Sequence, residues 1–369
     1  MGLGCPVVAV AQEQCRSFSG FTRNHDRKQK RELYRTQVIV AAAAGLPSEI
    51  VIGAVREGWN LAWRTMMQQL APRDSGDGTY RRPESQFRGR FEEPVSVEHA
   101  GRYHLYASPV CPWAHRALIV HSLKGLGSAV PISLALPGKS GLWEFEAGRY
   151  PDKAHNCSRL IDVYRMNSGG FQGRATVPML WDRVRKAVVN NESADIIAML
   201  NSDFNALAEN QHLDLAPASL GQEMDRWNQL VYANINNGVY RCGFAQSQNA
   251  YDHAVHNLFS ALETVEKHLQ CSRFLCGDSL TLADIRLFTT LYRFDAVYHI
   301  LFKCSKRKLS EFSNLYGYMR QIYQIPGVSS TCNLPSIMDG YYGALFPLNP
   351  GGIQPAIPSS MEPKVLYNQ

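Results

Sequence analysis

The pattern of apolar residues changes character partway along the chain, and that change limits the fold more than any single motif. From Tyr103 to about Leu200, strand-like and helix-like runs alternate. Tyr103-His-Leu-Tyr-Ala reads as a short strand, and Ala117, Leu118, Val120 and Leu123 mark an apolar helix. Val130-Pro-Ile-Ser-Leu-Ala-Leu reads as a second strand, followed by an irregular segment over 138–173. Ala175-Thr-Val-Pro-Met-Leu-Trp-Asp and Ala187-Val-Val then form a hairpin around the polar turn Arg183-Val-Arg-Lys, and a helix opens at Glu192-Ser193. From about residue 215 the strands stop. Met224, Trp227 and Val231 share a helical face, as do Val255, Leu258, Leu262, Val265 and Leu269. Thr281-Leu-Ala-Asp284 is a capping box for a third helix through Ile285 and Phe288. A fourth carries Phe312, Leu315, Met319 and Ile322 and must stop before Pro326-Gly327.

A β-α-β…β-β-α unit followed by helices predicts an α/β domain of thioredoxin-like type over 98–205 and an all-helical domain over 215–345. Residues 46–97 read as a helical stub and a polar linker rich in Gly, Pro and Arg, with order beginning at Tyr103; 346–369 read as a tail. The first 45 residues are basic and acid-poor and run through Arg35-Thr-Gln-Val-Ile-Val-Ala-Ala-Ala. Those are features of a transit peptide, giving an expectation of plastid (chloroplast) import; a disordered leader on a cytoplasmic protein is the alternative.

Composition narrows the function classes. With 45% apolar and 19% charged residues the chain is an ordinary globular one. Much of its net charge of +6 is concentrated before residue 91, at Arg23, Arg27, Lys28, Lys30, Arg31, Arg35, Arg81, Arg82, Arg88 and Arg90. No basic and aromatic interleaving accompanies it, so nucleic acid is not an expected partner. The longest strongly apolar stretch, Val38 to Leu46, is far short of the roughly 18 residues that suggest a spanning helix, so no membrane partner is expected. The nine cysteines are odd in number and include no C-x-x-C pair, which suits a reducing compartment and leaves no zinc ribbon or dithiol motif. His104, His115 and His299 are too dispersed to suggest a metal. The N-x-S strings at Asn156 and Asn191 are read as chance matches to a glycosylation acceptor.

Ser108-Pro-Val-Cys-Pro-Trp-Ala-His-Arg lies between the first strand and the first helix and puts Cys111 at a helix N-terminus. The helix dipole and cationic neighbours both favour a thiolate there, and His115 and Arg116 lie one turn on. Pro112 suits the first helical position. Inert packing is the commoner fate of a cysteine, but the strand–helix turn argues for a nucleophile. Three residues on stands Ala114, not a second cysteine, so a single-cysteine mechanism with an external resolving thiol is expected. At Val177-Pro178 two states are open: a cis proline that presents the preceding backbone to a peptide-like ligand, or the commoner trans edge-strand proline. Glu192-Ser193 offers an acid, a hydroxyl and free N–H groups at a helix start, either to a charged ligand or simply as a cap.

In this order the features resemble the amino-terminal domain of the glutathione transferases. More narrowly, several strings resemble the Xi class, the glutathionyl-hydroquinone reductases. They are Tyr103-His-Leu-Tyr…Cys-Pro-Trp-Ala-His-Arg, Thr176-Val-Pro-Met-Leu-Trp-Asp…Asn191-Glu-Ser, Asn236-Asn-Gly-Val-Tyr…Gly-Phe-Ala, Leu282-Ala-Asp-Ile-Arg-Leu-Phe-Thr-Thr-Leu…Arg-Phe-Asp-Ala-Val-Tyr and Asn314-Leu-Tyr-Gly. The likeness spans roughly residues 95 to 355. It implies Cys111 as the nucleophile that attacks a glutathionyl sulfur. For glutathione binding it implies Trp143 (in Gly141-Leu-Trp-Glu-Phe), then Arg174, Ala175, Thr176 and Val177 for the cysteinyl-glycine part, and Glu192 and Ser193 for the γ-glutamyl end. It implies Tyr240 as proton donor, and Tyr298 and Tyr341, next to Tyr342, as residues that tune the thiolate or shape the pocket. It also implies glutathione as co-substrate, an aromatic hydroquinone substrate and a homodimer, with no metal.

The implied reaction has two halves. The Cys111 thiolate takes the glutathionyl sulfur while Tyr240 protonates the departing aromatic carbon; a second glutathione then resolves the mixed disulfide. Alternatives are a general glutathione-dependent thiol transferase or dehydroascorbate reductase, which would use Cys111 without the three tyrosines, and a non-catalytic scaffold of the same fold.

Overall fold

The computed structural model describes residues 47–70, 76–138, 140–346 and 348–367, so the leader over 1–45 lies outside the described residues. The chain divides into two compact units, one ending at Trp63 and one beginning at Arg64. Helix α1, Ser48–Leu70, begins in the first, where it leaves Ile50, Ile52, Val55 and Leu61 exposed. Everything below concerns the second unit, which contains both the α/β and the helical parts.

Strand β1, Tyr103–Ala107, is buried at every position because it lies inside a four-stranded sheet. Helix α2, Pro112–Lys124, crosses to β2, Ile132–Leu134, which pairs parallel with β1. The single strand expected over 130–136 is divided: Leu136–Pro137 (β3) turns away and pairs with Trp143–Glu144 (β4) in a separate ribbon. The segment taken as irregular also holds a short helix α3, Leu160–Arg165. Strands β5, Met179–Asp182, and β6, Ala187–Asn190, form the expected hairpin, giving the sheet order β2-β1-β5-β6. Helix α4, Ser193–Asn201, packs against α2.

The expected polar linker corrects differently. Tyr80 and Val95 are buried, and the backbone of 87–89 runs antiparallel beside β6, with Gly89 N–H donating to Val189 O (2.9 Å) and Asn191 N–H to Phe87 O (3.0 Å). This covers a sheet edge that would otherwise expose unpaired backbone groups. Gly89 permits the approach, since a Cβ there would sit 2.6 Å from Val189 O. Arg88 and Arg90 both reach Asp195, at 2.8 and 2.7 Å. A sequence reading sees charges and turn residues here and misses pairing supplied by the backbone.

The helical part begins with α5, Gly221–Leu230, which passes through a π-helical stretch, Val231–Asn236, into α6, Gly238–Gly243. Helix α7, Gln248–His268, buries Leu258, Leu262 and Val265, while Val255 is half-buried and Leu269 falls just beyond the helix end. Helix α8, Leu282–Arg293, opens with the expected capping box; Asp284 accepts from Thr281 N–H at 2.8 Å and from the Tyr318 hydroxyl at 2.8 Å. It continues through a second π-helical stretch, Phe294–Tyr298, into a last turn α9, His299–Leu301. Helix α10, Ser313–Tyr323, ends before Pro326 as expected. Helix α11, Leu334–Ala344, carries the last of the implied tyrosines. The tail folds back as α12, Pro363–Tyr367, with Met361 and Leu366 buried. Among the described residues no helix is long and apolar enough to cross a membrane.

Candidate active site

Cys111 is the N-cap residue of α2, with extended backbone (φ −76°, ψ 120°), and Pro112 follows at the first helical position. Its side chain is half-buried, and the thiol donates to Val177 O at 3.5 Å. The Val177–Pro178 bond is cis, which decides between the two states open from sequence. The cis proline turns the backbone so that the Val177 carbonyl meets the sulfur.

The cationic neighbours expected one turn along are a correction. His115 is fully buried, and burial, reinforced by the Arg293 guanidinium, holds its pKa well below the usual histidine value, so the ring is neutral. Its Nδ1 accepts from Arg293 (3.0 Å) and its Nε2 meets the Thr331 hydroxyl (2.9 Å). Arg116 is also buried and donates to Asn236 Oδ1 (2.6 Å) and Ser193 Oγ (3.3 Å), not towards the thiol. Positions four and five residues after a helix N-cap lie over the first turn, and here both turn inward to the helical part.

Arg293, given no role from sequence, organises the loop that carries Cys111. Its buried guanidinium donates to Pro109 O (2.7 Å), Val110 O (3.2 Å) and Thr289 O (2.8 Å) as well as to His115. The planar fork suits several acceptors at once. The signal was present in the Arg293-Phe-Asp-Ala-Val-Tyr string, but no spacing rule ties it to residues 109–111. Helix α11 also touches this loop: a Cβ on Gly340 would lie 2.5 Å from Val110 Cγ1, so glycine is required for the close approach that brings in Tyr341.

Tyr240, Tyr298 and Tyr341 come together although they lie on three separate helical segments. Tyr341 Oη is 2.7 Å from Tyr240 Oη and 3.0 Å from Tyr298 Oη. Tyr240 follows one π-helical stretch and Tyr298 ends the other, distortions of a kind frequent at functional sites. Tyr342 is separate: its hydroxyl donates to Ala296 O at 2.9 Å. Tyr298 is fully buried and its pKa is pushed up to about 12, chiefly by burial; Tyr240 and Tyr341 are also held well above the usual phenol value, again chiefly by burial, with Tyr298 and Cys111 adding to the shift at Tyr240. All three are neutral donors at ordinary pH. Three hydroxyl protons serve two bonds within the triad, which leaves one to donate. Tyr240 keeps some solvent exposure while Tyr298 is at 0%, so Tyr240 is the outermost hydroxyl of the triad.

The glutathione-binding candidates divide. Glu192 is the N-cap of α4, and its Oε1 accepts from Ala194 N–H at 3.0 Å; Ser85, from the linker, donates to Oε2 at 2.9 Å. Ser193 lies beside it, buried, with its hydroxyl 3.4 Å from Glu192 Oε1. Thr176 is held through its carbonyl by the Tyr164 hydroxyl (2.8 Å) and through Oγ1 by Asn191 (3.3 Å). Asn191 is therefore buried inside the network, and no glycan could occupy it. Ala175 is half-buried, next to Thr176. The Arg174 side chain is exposed, yet surrounding protein lowers its pKa and Arg82 adds to this, while Tyr80, Cys111 and Tyr240 act in the opposite direction. That places the guanidinium within electrostatic reach of the thiol. Trp143 sits half-buried in the β3–β4 ribbon, which packs against α11 through β3; it enters none of the hydrogen bonds or ring pairs that join the other site residues.

Two linker residues join the site without any sequence signal. The Tyr80 ring lies 6.3 Å from Tyr240 and 5.5 Å from Phe244, and Arg82 sits 3.9 Å over Trp113. With Phe302, 5.4 Å from Tyr240, they make the tyrosine side an aromatic wall. An open groove of about 470 Å³ lined by Cys242, Gln246, Tyr251 and Lys303 lies away from Cys111. Among the described residues no group of three or more His, Cys, Asp or Glu could hold a metal ion.

Comparisons with known proteins give the family. The model of the glutathione S-transferase N-terminal domain matches residues 110–203 and that of the C-terminal domain residues 248–321. The glutathionyl-hydroquinone reductase PcpF of Sphingobium chlorophenolicum is 43% identical over 293 residues, covering 78% of this chain and 93% of that protein. The glutathionyl-hydroquinone reductase YqjG of Escherichia coli (strain K12) is 44% identical over 257 residues, covering 68% and 78%. Among solved structures, the glutathione-S-transferase Xi from Phanerochaete chrysosporium superposes with a TM-score of 0.74 at 39% identity, covering 79% of this chain and 96% of that one. The glutathione-bound structure of YqjG gives 0.68 at 39%, covering 76% and 98%. With both domains matched and relatives covered almost end to end, the chain belongs to the glutathione transferase family, in its Xi class.

Proposed function

We propose that this glutathione transferase is a glutathionyl-hydroquinone reductase in which Cys111 is the nucleophile and Tyr240 the acid. The observation that carries the reading is the tyrosine triad: two hydroxyl–hydroxyl bonds of 2.7 and 3.0 Å converge on Tyr341 beside the Cys111 loop. Thiol transfer between sulfurs needs no such acid, because a thiolate is an adequate leaving group. Breaking a carbon–sulfur bond to an aromatic ring does need one, because the departing carbon must be protonated.

Glutathione is the co-substrate. Its γ-glutamyl end docks on Glu192 and Ser193 and its cysteinyl-glycine part along Arg174, Ala175, Thr176 and Val177, with Trp143 at the side. Cys111 stands at the start of α2, next to the Val177 backbone. Its thiolate attacks the sulfur of the glutathionyl-hydroquinone; the sulfur–carbon bond breaks and the carbon takes the Tyr240 proton, Tyr341 hydrogen-bonds the phenolate left behind, and the proton lost by the second glutathione restores Tyr240. A second glutathione thiolate then attacks the Cys111–glutathione disulfide and leaves as oxidised glutathione. The reading extends to a homodimer, by resemblance, and to plastid import, from the basic leader.

Wild type and Cys111→Ala are incubated with a glutathionyl-hydroquinone and excess glutathione, and products followed by chromatography. The expected result is equimolar hydroquinone and oxidised glutathione from wild type and neither from the variant. Turnover of a glutathione mixed disulfide or dehydroascorbate but not of this substrate would leave Cys111 in its role and discard the hydroquinone.

A further inference from the structure

We propose that Arg116 is the buried counter-charge for the α-carboxylate at the γ-glutamyl end of bound glutathione, acting through Ser193; this rests on the glutathione reading above. Arg116 is 2% exposed, and a buried guanidinium is costly unless paired with a carboxylate. It forms no ion pair among the described residues. Its Nη1 donates to Ser193 Oγ (3.3 Å), its Nη2 to Asn236 Oδ1 (2.6 Å) and to Arg286 O (3.5 Å), and its Nε is buried with no hydrogen-bond partner. The charges around it add to the surplus. Arg82 and Arg116 both lie over the Trp113 ring, at 3.9 and 4.4 Å from its centroid, and Arg286 also opposes the Arg116 charge. Glu192 is the carboxylate that supports it, but not at ion-pair distance.

The surplus matches a zwitterion. The γ-glutamyl end carries an ammonium and a carboxylate on one carbon. Glu192 can take the ammonium, and doing so would leave Arg116 uncompensated unless the ligand's carboxylate arrives with it. Ser193 is the link. Because its oxygen accepts from Arg116, its own proton is free to donate, to Glu192 Oε1 at 3.4 Å in the unliganded protein and to the carboxylate in the complex. Arg116 is thus a positioning residue: it sets the direction of the serine hydroxyl and supplies the opposite charge one hydrogen bond behind it.

A purely structural role is the competing account, since Asn236 and the Arg286 carbonyl belong to the helical part and Arg116 ties the two parts together. A binding cycle separates the two. S-Methylglutathione and its analogue with a 4-aminobutanoyl group in place of γ-glutamyl, which keeps the amine and lacks the α-carboxylate, are titrated into the full-length protein by calorimetry. Wild type is expected to bind the analogue roughly tenfold to a hundredfold more weakly, the range for charges about 6–12 Å apart at an effective dielectric near 20. Arg116→Gln should lose most of that discrimination, weakening S-methylglutathione and binding the analogue at least as tightly as wild type does, while Arg116→Lys should keep most of the discrimination. Equal weakening of both ligands by Arg116→Gln would overturn the proposal in favour of the structural role. Wild type that binds both ligands alike would overturn it even if Arg116→Gln fails to fold. Wild type that binds neither would sink the glutathione reading itself, and the Arg116 assignment with it.

Discussion

The thiol side and the tyrosine side of the cleft solve opposite problems. Cys111 must be able to lose its proton and must meet a substrate, and it stands half-buried at the start of a helix, with its loop held by the Arg293 fork. The tyrosines must keep their protons, and they stand deep among rings, where burial pushes their pKa values up. Burial disfavours the charged form of any acid. Buried Cys276 obeys the same rule as the tyrosines, pushed up to about 11. The proposed nucleophile and acid therefore differ in surroundings and not in exposure, since both are half-buried: the thiol stands on a loop over a sheet, and Tyr240 is backed by the buried phenols of Tyr298 and Tyr341 in the helical part.

The largest effect expected from breaking this division is at Tyr240. Replacing it with Phe removes the outward donor and should lower kcat on a glutathionyl-hydroquinone by roughly 10²–10⁴-fold. Reduction of a glutathione mixed disulfide, which needs only the thiol side, should change little. Stopped-flow measurement of both reactions checks it, and equal losses in both would mean that the two sides do not act separately.

Arg293→Met tests whether the thiol side depends on the helical core for its shape. It strips the donors from the carbonyls of Pro109 and Val110 and from His115 Nδ1, and a buried acceptor left unsatisfied costs about 1–3 kcal/mol. Chemical denaturation should show about 3 kcal/mol or more of lost stability from the set, on the order of one such cost per acceptor. A variant as stable as wild type would show that water satisfies those acceptors.

Adjacent tyrosines sharpen the comparison further. Tyr341→Phe cuts the hydroxyl chain and should slow hydroquinone release by roughly tenfold, while Tyr342→Phe loses one bond to Ala296 O and should cost about 1 kcal/mol of stability with activity nearly intact. The reverse pattern would move that role to Tyr342.

A separate effect is on pH. His115 is neutral in the folded protein, with its pKa held below the unfolded value of 6.5. Below pH 6.5 the unfolded chain binds a proton that the folded one does not, so stability falls as pH is lowered. At pH 5.5 this amounts to on the order of 1 kcal/mol for such a histidine. His104, lowered to about 4 by burial, should add to the same slope. Urea midpoints at pH 7.5 and 5.5 check the sign, and a flat profile would mean that His115 is protonated when folded.

Local chemistry alone made much of this protein legible. Strand β1, the Pro112 helix start, the β5–β6 hairpin and the Thr281–Asp284 capping box are all dictated by neighbours a few residues apart, and the structure has each of them. Glu192-Ser193 at a helix start was visible for the same reason. What the sequence by itself could not determine was which distant groups meet. His115 and Arg116 read as cations for the thiol from spacing along one helix, but the helical part takes both of them inward, one neutral and one behind Ser193. The linker read as unpaired because its polar residues hide a backbone that pairs with β6. Arg293 reaches Pro109 and Val110 across more than 180 positions, and the tyrosine triad joins residues 240, 298 and 341. Short-range patterns specify elements because hydrogen bonding and periodicity are local. Protonation state, hydroxyl direction and the depth of each side chain depend on the dielectric and on the partners that packing brings, and only the tertiary structure decides those.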